Sequence, residues 1–262
     1  MGDTNAVQLK PAVQALQGCR RLLVIAGAGL SADAGVPTFR DAGGLWQTHR
    51  VEDLATRAAF ERDPGLVWDW YRERREHIAT CEPHAGQRSL ALLQRSWVPP
   101  RRVLVATTNE DDLLDRAGVR GTVHLHGSLF ATVCAAGCGW EGADAEDNGL
   151  SFLPCPACGA PARPGSVWFN EPLPAEALEE IEAFDPDGCL VVGSSSLVQP
   201  VAAIAPELAL AGCPVIEINP VPTPLSCVAG CILIQAPARS ALPSLVDLLT
   251  SSVVRETWSG SR

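Results

Sequence analysis

The stretch LLVIAGAGLSADAGVPTFR, residues 22–40, decides the fold. Residues 22–26 form an apolar run with β-branched members that ends at Gly27. This is the pattern of a strand buried on both faces that feeds a glycine turn. Ser31 then opens what can become a helix. Small residues at Gly27, Ala28 and Gly29 let backbone approach a pyrophosphate, which helix N–H groups can bind. The full G-x-G-x-x-G dinucleotide pattern is not met, because Ala32 stands where the last glycine belongs. Taken alone, the motif fits a ligand-free strand–helix turn equally well.

The apolar run returns at 103–107 (VLVAT), 189–193 (CLVVG) and 214–218 (PVIEI). Between these runs lie helix-like stretches at 64–80, 84–96, 174–183 and 201–211, the last stopped by Gly212. Strands alternating with helices argue for an α/β fold, a Rossmann-like parallel sheet covered on both faces. Residues 131–166 break the rhythm with four cysteines, many Gly and Pro, and the acidic run EGADAEDNG. A segment of that length cannot build its own apolar core and needs a staple. The expected division is a Rossmann-like domain of residues 1–130 and 167–250, with a helical insertion at about 45–85. A small zinc-binding module occupies 131–166 and a frayed tail 251–262.

Composition narrows the function. The 262 residues are 47% hydrophobic, enough for a proper core, and carry a formal net charge of -10. An acidic chain is a poor general nucleic-acid binder, because phosphate neutralisation needs clustered Lys and Arg. The N-terminus MGDTNAVQLK lacks a signal-peptide core, and no apolar run approaches the ~20 residues that span a bilayer. The expectation is a cytoplasmic protein with no membrane partner.

In a reducing compartment, closely spaced cysteines suggest metal before disulfides. Cys134-x3-Cys138 and Cys155-x2-Cys158 are two close pairs separated by 16 residues, the spacing of a four-thiolate zinc site. Four protein ligands leave no open position for water, so the zinc is structural. Cys227-x3-Cys231 has no partner pair, and Cys231 begins the apolar run CILIQ, so a core role is expected there. Cys19, Cys81, Cys189 and Cys213 read as small buried hydrophobes.

Of the five histidines, His126 stands apart: Gly127 follows it, and Leu125 and Leu129 flank it. A strand giving way to a tight turn can present an imidazole, which titrates near neutral pH, to a cleft. His124 is the second choice.

The longer string GAGLSADAGVPTFR (27–40), followed by DAGGLW (41–46), resembles the NAD-binding signature of the sirtuins. Further blocks follow in the family's order. These are TTNEDDLLDRAG (107–118), HLHGSL (124–129), VWFNEPLP (167–174), GSSSLVQP (193–200) and INP (218–220). The resemblance runs from about residue 20 to 245. It implies an NAD-dependent protein-lysine deacylase acting on acylated protein or peptide lysines. NAD is consumed as a co-substrate, and one structural zinc is held by Cys134, Cys138, Cys155 and Cys158. In that chemistry the acyl oxygen attacks the anomeric carbon of the nicotinamide ribose and nicotinamide leaves. His126 then deprotonates a ribose hydroxyl that attacks the acyl carbon, giving free lysine and O-acyl-ADP-ribose.

By the same resemblance, the first block supplies NAD contacts from Gly27, Ala28, Gly29, Ser31, Ala32, Gly35, Thr38, Phe39 and Arg40, and the second from Trp46. Thr108, Asn109, Glu110 and Asp111 contribute from the third block, with Asn109 and Asp111 shaping the nicotinamide pocket and joining His126 in catalysis. Gly193, Ser194, Ser195, Asn219, Pro220, Val221 and Ala238 complete the cofactor set. Val167, Phe169, Asn170 and Glu171 belong to the peptide-binding strand, with Asn170 in place of the family's glycine. Thr108 replaces Gln, Asp112 replaces Gly or Glu, and Glu110 replaces an apolar residue. Burying a carboxylate unpaired is costly, so Glu110 is expected either to point outward or to lie beside the positive nicotinamide ring.

Residues 67–78, VWDWYRERREHI, have the pattern of an amphipathic helix. Tyr71 and Arg74 match the Tyr-x-x-Arg pair with which class III sirtuins bind the distal carboxylate of succinyl, malonyl or glutaryl lysine. Three apart on a helix they share a face, and Ala42 leaves room for a longer acyl group. The implied activity is deacetylation together with desuccinylation and demalonylation, while Arg72 and Arg75 are expected to be solvated. The altered 107–112 block keeps two alternatives open: an ADP-ribosyltransferase or NAD glycohydrolase on the same fold, and a non-catalytic NAD-responsive binding module. A hydride-transferring dehydrogenase is disfavoured by the incomplete glycine motif and the lack of a separate substrate domain.

Overall fold

The computed structural model describes residues 3–38, 50–143 and 153–259. Its strands in chain order are β1 (Arg21–Ala26), β2 (Arg102–Thr107), β3 (Val123–His124), β4 (Gly127–Cys134), β5 (Glu141–Ala143), β6 (Leu153–Pro154), β7 (Pro161–Ser166), β8 (Gly188–Val192), β9 (Val215–Ile218) and β10 (Cys231–Ile234). The helices are α1 (Asp3–Gln17), α2 (Ala28–Ala32), α3 (Val51–Leu54), α4 (Arg57–Arg62), α5 (Pro64–Thr80), α6 (Ala85–Ser96), α7 (Leu113–Arg116), α8 (Ala175–Phe184), α9 (Val201–Leu210) and α10 (Ala238–Ser259).

The large sheet is parallel, in the order β10-β9-β8-β1-β2-β3. Counted along the chain, its six strands run 3-2-1-4-5-6, the doubly wound dinucleotide-binding order. Successive side chains on a strand face opposite ways, and β1 divides its residues accordingly. Leu22, Val24 and Ala26 join the core under α1, α6 and α10, whereas Leu23 and Ile25 join the one under α8 and α9. This is why the strands read as unbroken apolar runs. Strand order reverses between β1 and β8, where ligands of such sheets bind.

A second, antiparallel sheet of order β5-β4-β7-β6 forms the small module. It begins at Gly127, earlier than the expected boundary at 131, because β4 starts pairing with β7 at Gly127–Ser166. Helices α3–α5 form the insertion. The Asp63 side chain caps α5 by accepting from Leu66 N at 3.0 Å, and Pro64 takes the first helical position, where its missing N–H costs nothing. The buried face of α5, with Trp68, Trp70 and Tyr71, packs with Phe60, Leu129 and Trp168 in a third core.

Three expectations are corrected. Of the expected tail, the stretch from 251 to Ser259 is helical as part of α10, and no Gly or Pro follows Pro243 until Gly260. Cys213 is half-buried in the turn after α9, unlike the buried Cys19, Cys81 and Cys189, whereas Cys231, at the start of the edge strand β10, packs against the core as expected. Arg75 is not solvated. It donates to the carbonyls of Leu129 (2.6 Å) and Ala131 (3.0 Å) on β4, with its guanidinium over the Trp68 ring. Arg72 pairs at the surface with Asp69. Among the described residues no helix is long and apolar enough to cross a membrane.

Candidate active site

The turns after β1 and β8 lie against each other at the switch point. Gly27 N donates to Val192 O at 2.9 Å, and Gly29 N to Gly193 O at 2.8 Å. A Cβ on Gly27 would come within 2.7 Å of Ser194 Cα, and one on Gly29 within 2.8 Å of Gly193 O. Gly193 has φ +62, and its Cβ would sit 2.3 Å from Leu30 N. The glycines are thus required first by the packing of two loops, and the resulting open shelf is what a dinucleotide could approach.

The shelf is pinned from the third block. Asn109 Nδ2 donates to Gly27 O (3.1 Å) and to the Ser31 hydroxyl (3.0 Å), and Thr108 N donates to Ala26 O (2.9 Å). Asp111 is buried behind Ser31 and accepts from Leu113 N at 3.1 Å. Burial pushes its carboxyl above the usual range, partly offset by the hydrogen bond with Ser31. Asp111, Ser31 and Gly35 support the shelf without lining the cavity described below.

That cavity, of about 750 Å³, falls within the 300–1,000 Å³ usual for ligand sites. Its walls bring together Gly27, Ala28, Gly29, Ala32 and Thr38 with Thr108, Asn109, Glu110 and His126. Gly193, Ser194, Ser195, Asn219, Pro220, Val221 and Ala238 close the cofactor side, and Asn219 Nδ2 holds Ser194 O at 2.8 Å. Val167, Phe169, Asn170, Glu171, Tyr71 and Arg74 form the opposite side. Phe39, Arg40, Ala42 and Trp46 lie outside the described residues.

His126 occupies the turn between β3 and β4, on the chain that crosses from the large sheet into the small module. Its carbonyl accepts Val167 N, from the returning chain, at 2.8 Å. Burial lowers its imidazole pKa, while the Glu110 carboxylate and a hydrogen bond to the Thr108 backbone oppose that shift. A neutral imidazole facing a cavity is the state a general base needs. His124 is engaged elsewhere: its Nε2 lies 3.1 Å from Asp115, and that bond raises its pKa. His84 caps α6 and contacts Leu30 O, and His77 contacts Gly35 O. Both are structural.

Glu110 does not point outward: it lines the cavity beside Asn109 and His126. It is partly buried and paired with Arg74, Oε2 to guanidinium at 2.5 Å. The same guanidinium lies over the rings of Trp70 (4.6 Å) and Tyr71 (5.3 Å). Tyr71 is buried, and its hydroxyl accepts from Trp168 Nε1 at 2.9 Å. Burial, reinforced by the nearby Glu110, pushes the phenol far above its usual range and keeps it neutral.

Asn170 has φ +70. This explains how it can occupy a position where the resembling family has glycine, since Asn is among the few other residues that visit this region readily. Glu171 is held by Arg163, whose guanidinium stacks on Trp168 at 3.6 Å.

In the small module, the Sγ atoms of Cys134, Cys138, Cys155 and Cys158 all lie within 4.8 Å of one another. Cys134–Cys158 is 3.5 Å and Cys138–Cys155 3.6 Å, far longer than a disulfide. Tetrahedral Zn–S bonds of about 2.3 Å put sulfurs about 3.8 Å apart, so the donor set fits one zinc with all four positions filled. Gly137, at φ +71, absorbs the extra residue of the first pair.

Several lining residues carried no signal in the sequence reading. Asp33 faces the cavity and also caps α10 by accepting from Arg239 N at 2.9 Å. Trp70, Trp168 and Leu197 line it as well. The two tryptophans adjoin Tyr71 and Val167 in sequence, and that adjacency to nominated residues was the available clue.

The Sir2 family model matches residues 27–200. Over 255 residues the chain is 43% identical to NAD-dependent protein deacylase 1 of Pseudomonas aeruginosa, covering 91% of this chain and 98% of that protein. It is 40% identical over 230 residues to the mitochondrial NAD-dependent protein deacylase sirtuin-5 of Canis lupus familiaris, covering 78% and 74%. A solved Sir2 homolog–NAD complex superposes with a TM-score of 0.84 at 34% identity, covering 93% of this chain and 94% of that one.

Proposed function

The chain belongs to the Sir2 family, and we propose that its cavity removes acyl groups from protein lysines at the expense of NAD, with His126 as general base. The observation that carries this is the placement of His126 and the glycine shelf in one cavity at the switch point of a dinucleotide-binding sheet. NAD bound there would supply an electrophilic ribose carbon for the acyl oxygen; with one water consumed, the products are nicotinamide, O-acyl-ADP-ribose and free lysine.

The chain's own residues do the rest. Gly27, Gly29 and Gly193 keep the shelf clear for the pyrophosphate, and Asn109 fixes its shape. The shielded His126 imidazole stays neutral and accepts a proton from a ribose hydroxyl at Nε2 or Nδ1. Glu110 stabilises the imidazolium that results. Val167 and Phe169 lie on the chain that leaves β7 and would flank the acyl-lysine of a bound peptide, with the turn at Asn170 closing that stretch. The four cysteines hold the module whose strands β4 and β7 carry His126 and Val167 at their roots.

Ten free cysteines suit a reducing compartment, which supports a cytoplasmic location. The net charge of -10 favours protein substrates over nucleic acid.

Incubation with NAD and an acetyl-lysine peptide should give O-acetyl-ADP-ribose by mass spectrometry, and His126→Ala should abolish it. Nicotinamide release that does not depend on peptide would instead identify a glycohydrolase.

A further inference from the structure

We infer that Glu110 makes the acyl end of the cavity selective for neutral acyl groups, by occupying the guanidinium that would otherwise receive an anionic one. The inference rests on the deacylase reading and narrows its substrate class. Arg74 is the single Arg or Lys among the described residues that line the cavity, whereas Asp33, Glu110 and Glu171 line it too. The Arg74–Glu110 contact is 2.5 Å long, with side-chain exposures of 11% and 10%. Burial at that level leaves the pair little solvent screening.

The Glu110 carboxylate meets the guanidinium through Nη2, and the guanidinium carbon lies over the rings of Trp70 and Tyr71. Glu110 is itself anchored, since its backbone carbonyl accepts Leu129 N from β4 at 2.8 Å. The Tyr71 hydroxyl oxygen is taken up by Trp168. The local charge sum of Arg74 and Glu110 is zero. A substrate carboxylate would have to displace Glu110 or sit beside it, and like-charge juxtaposition in an interface is strongly unfavourable. An acetyl or short aliphatic acyl group brings no charge against Glu110, and the cavity around it is lined by apolar side chains such as Trp70 and Val167. The specificity-determining residue is therefore the carboxylate at 110, which acts through Arg74.

The test compares kcat/KM for one peptide carrying acetyl, butyryl, succinyl or succinamoyl lysine. The last two differ in charge and scarcely in size. The wild-type protein should process succinamoyl-lysine at least about 100-fold better than succinyl-lysine, the scale of a like-charge penalty of a few kcal/mol. Glu110→Gln should raise the succinyl-to-succinamoyl ratio at least tenfold, mainly through KM, and adding Arg74→Met should return it toward the wild-type value. Glu110→Val, which removes the polar group altogether, should move the ratio in the same direction as Gln. Equal use of the two acyl groups by the wild-type protein overturns the inference without any variant. So does rejection of both, which would mean size and not charge, or an unchanged ratio in both Glu110 variants. Absence of O-acyl-ADP-ribose with every peptide removes the deacylase reading, and this inference with it.

Discussion

The carbonyl of His126 accepts the backbone N–H of Val167 at 2.8 Å. The two chain segments that join the large sheet to the zinc module thus run side by side at the candidate base. The candidate base and the candidate peptide-binding edge share one hydrogen-bonded crossing, so displacing either displaces both. Next to it, a Cβ on Gly127 would lie 2.1 Å from Gly165 O, so the chains touch backbone to backbone.

Gly127→Ala is expected to lose about 2–4 kcal/mol of stability, from backbone overlap added to a left-handed φ. Gly121→Ala is the control: its φ is also positive, at +61, but nothing lies within 4 Å of the added carbon. Denaturant melts of the two variants should separate overlap from φ strain. Equal losses would show that the crossing has room to spread.

The pH profile of deacylation should report the shielded imidazole. The base must be neutral, and burial lowers the His126 pKa. The acid limb of kcat/KM should therefore fall below the usual histidine value of about 6.5. Glu110 acts in the opposite direction, raising that pKa. Glu110→Gln should move the acid limb to still lower pH, and a limb that stays put or rises would separate Glu110 from the base.

Removing zinc should unravel the small sheet. Dialysis against a strong chelator should release one zinc per chain and expose the thiols of Cys134, Cys138, Cys155 and Cys158 to a thiol reagent. The melting temperature should drop, since metal binding is folding free energy in such modules. Cys155→Ser, at the buried end of the second pair, should prevent stoichiometric loading. Full zinc content in that variant would place the metal elsewhere.

The His124–Asp115 contact predicts a stability window. The bond to Asp115 raises the His124 pKa, so its contribution is complete below the unfolded value of about 6.5 and fades as pH rises through the folded one. Burial pushes Asp115 upward, but its bonds to His124 outweigh this and the net shift is down. Its contribution therefore holds above the unfolded value of about 3.9 and is lost as pH falls through the folded one. The pair should help most between about pH 4 and 6.5. Both groups are partly exposed, so screening leaves the effect small. His124→Gln should lower the melting temperature by roughly 1–2 °C at pH 5.5 and by less at pH 8.5. A deficit that does not vary with pH would mean packing alone.

Four strands of the large sheet were legible because they are buried on both faces, whereas the short β3 and the half-buried edge strand β10 were not legible as members of it. LLVIA, VLVAT and CLVVG needed no partner to be recognised as interior strands, and four close thiols announced a metal by spacing alone. The Arg74–Glu110 pair was hidden because its members lie 36 residues apart and neither is unusual locally. Asp111 was legible as polar and important, but its place behind Ser31 depends on how β2 meets β1. Arg75 looked solvated on a charged helix face because its acceptors, the carbonyls of Leu129 and Ala131, come from a sheet that assembles only in three dimensions. Asn170 looked like an anomaly until its φ was known.

Gly27, Gly29 and Gly193 fill one another's space, which makes them a single unit of mutational tolerance. A side chain at any one of them cannot be accommodated by trimming a neighbour, since the atoms it would meet first are backbone. Directed evolution of this cavity would have to leave those positions fixed and draw its diversity from walls made of side chains, such as Leu197, Trp70 and Glu110.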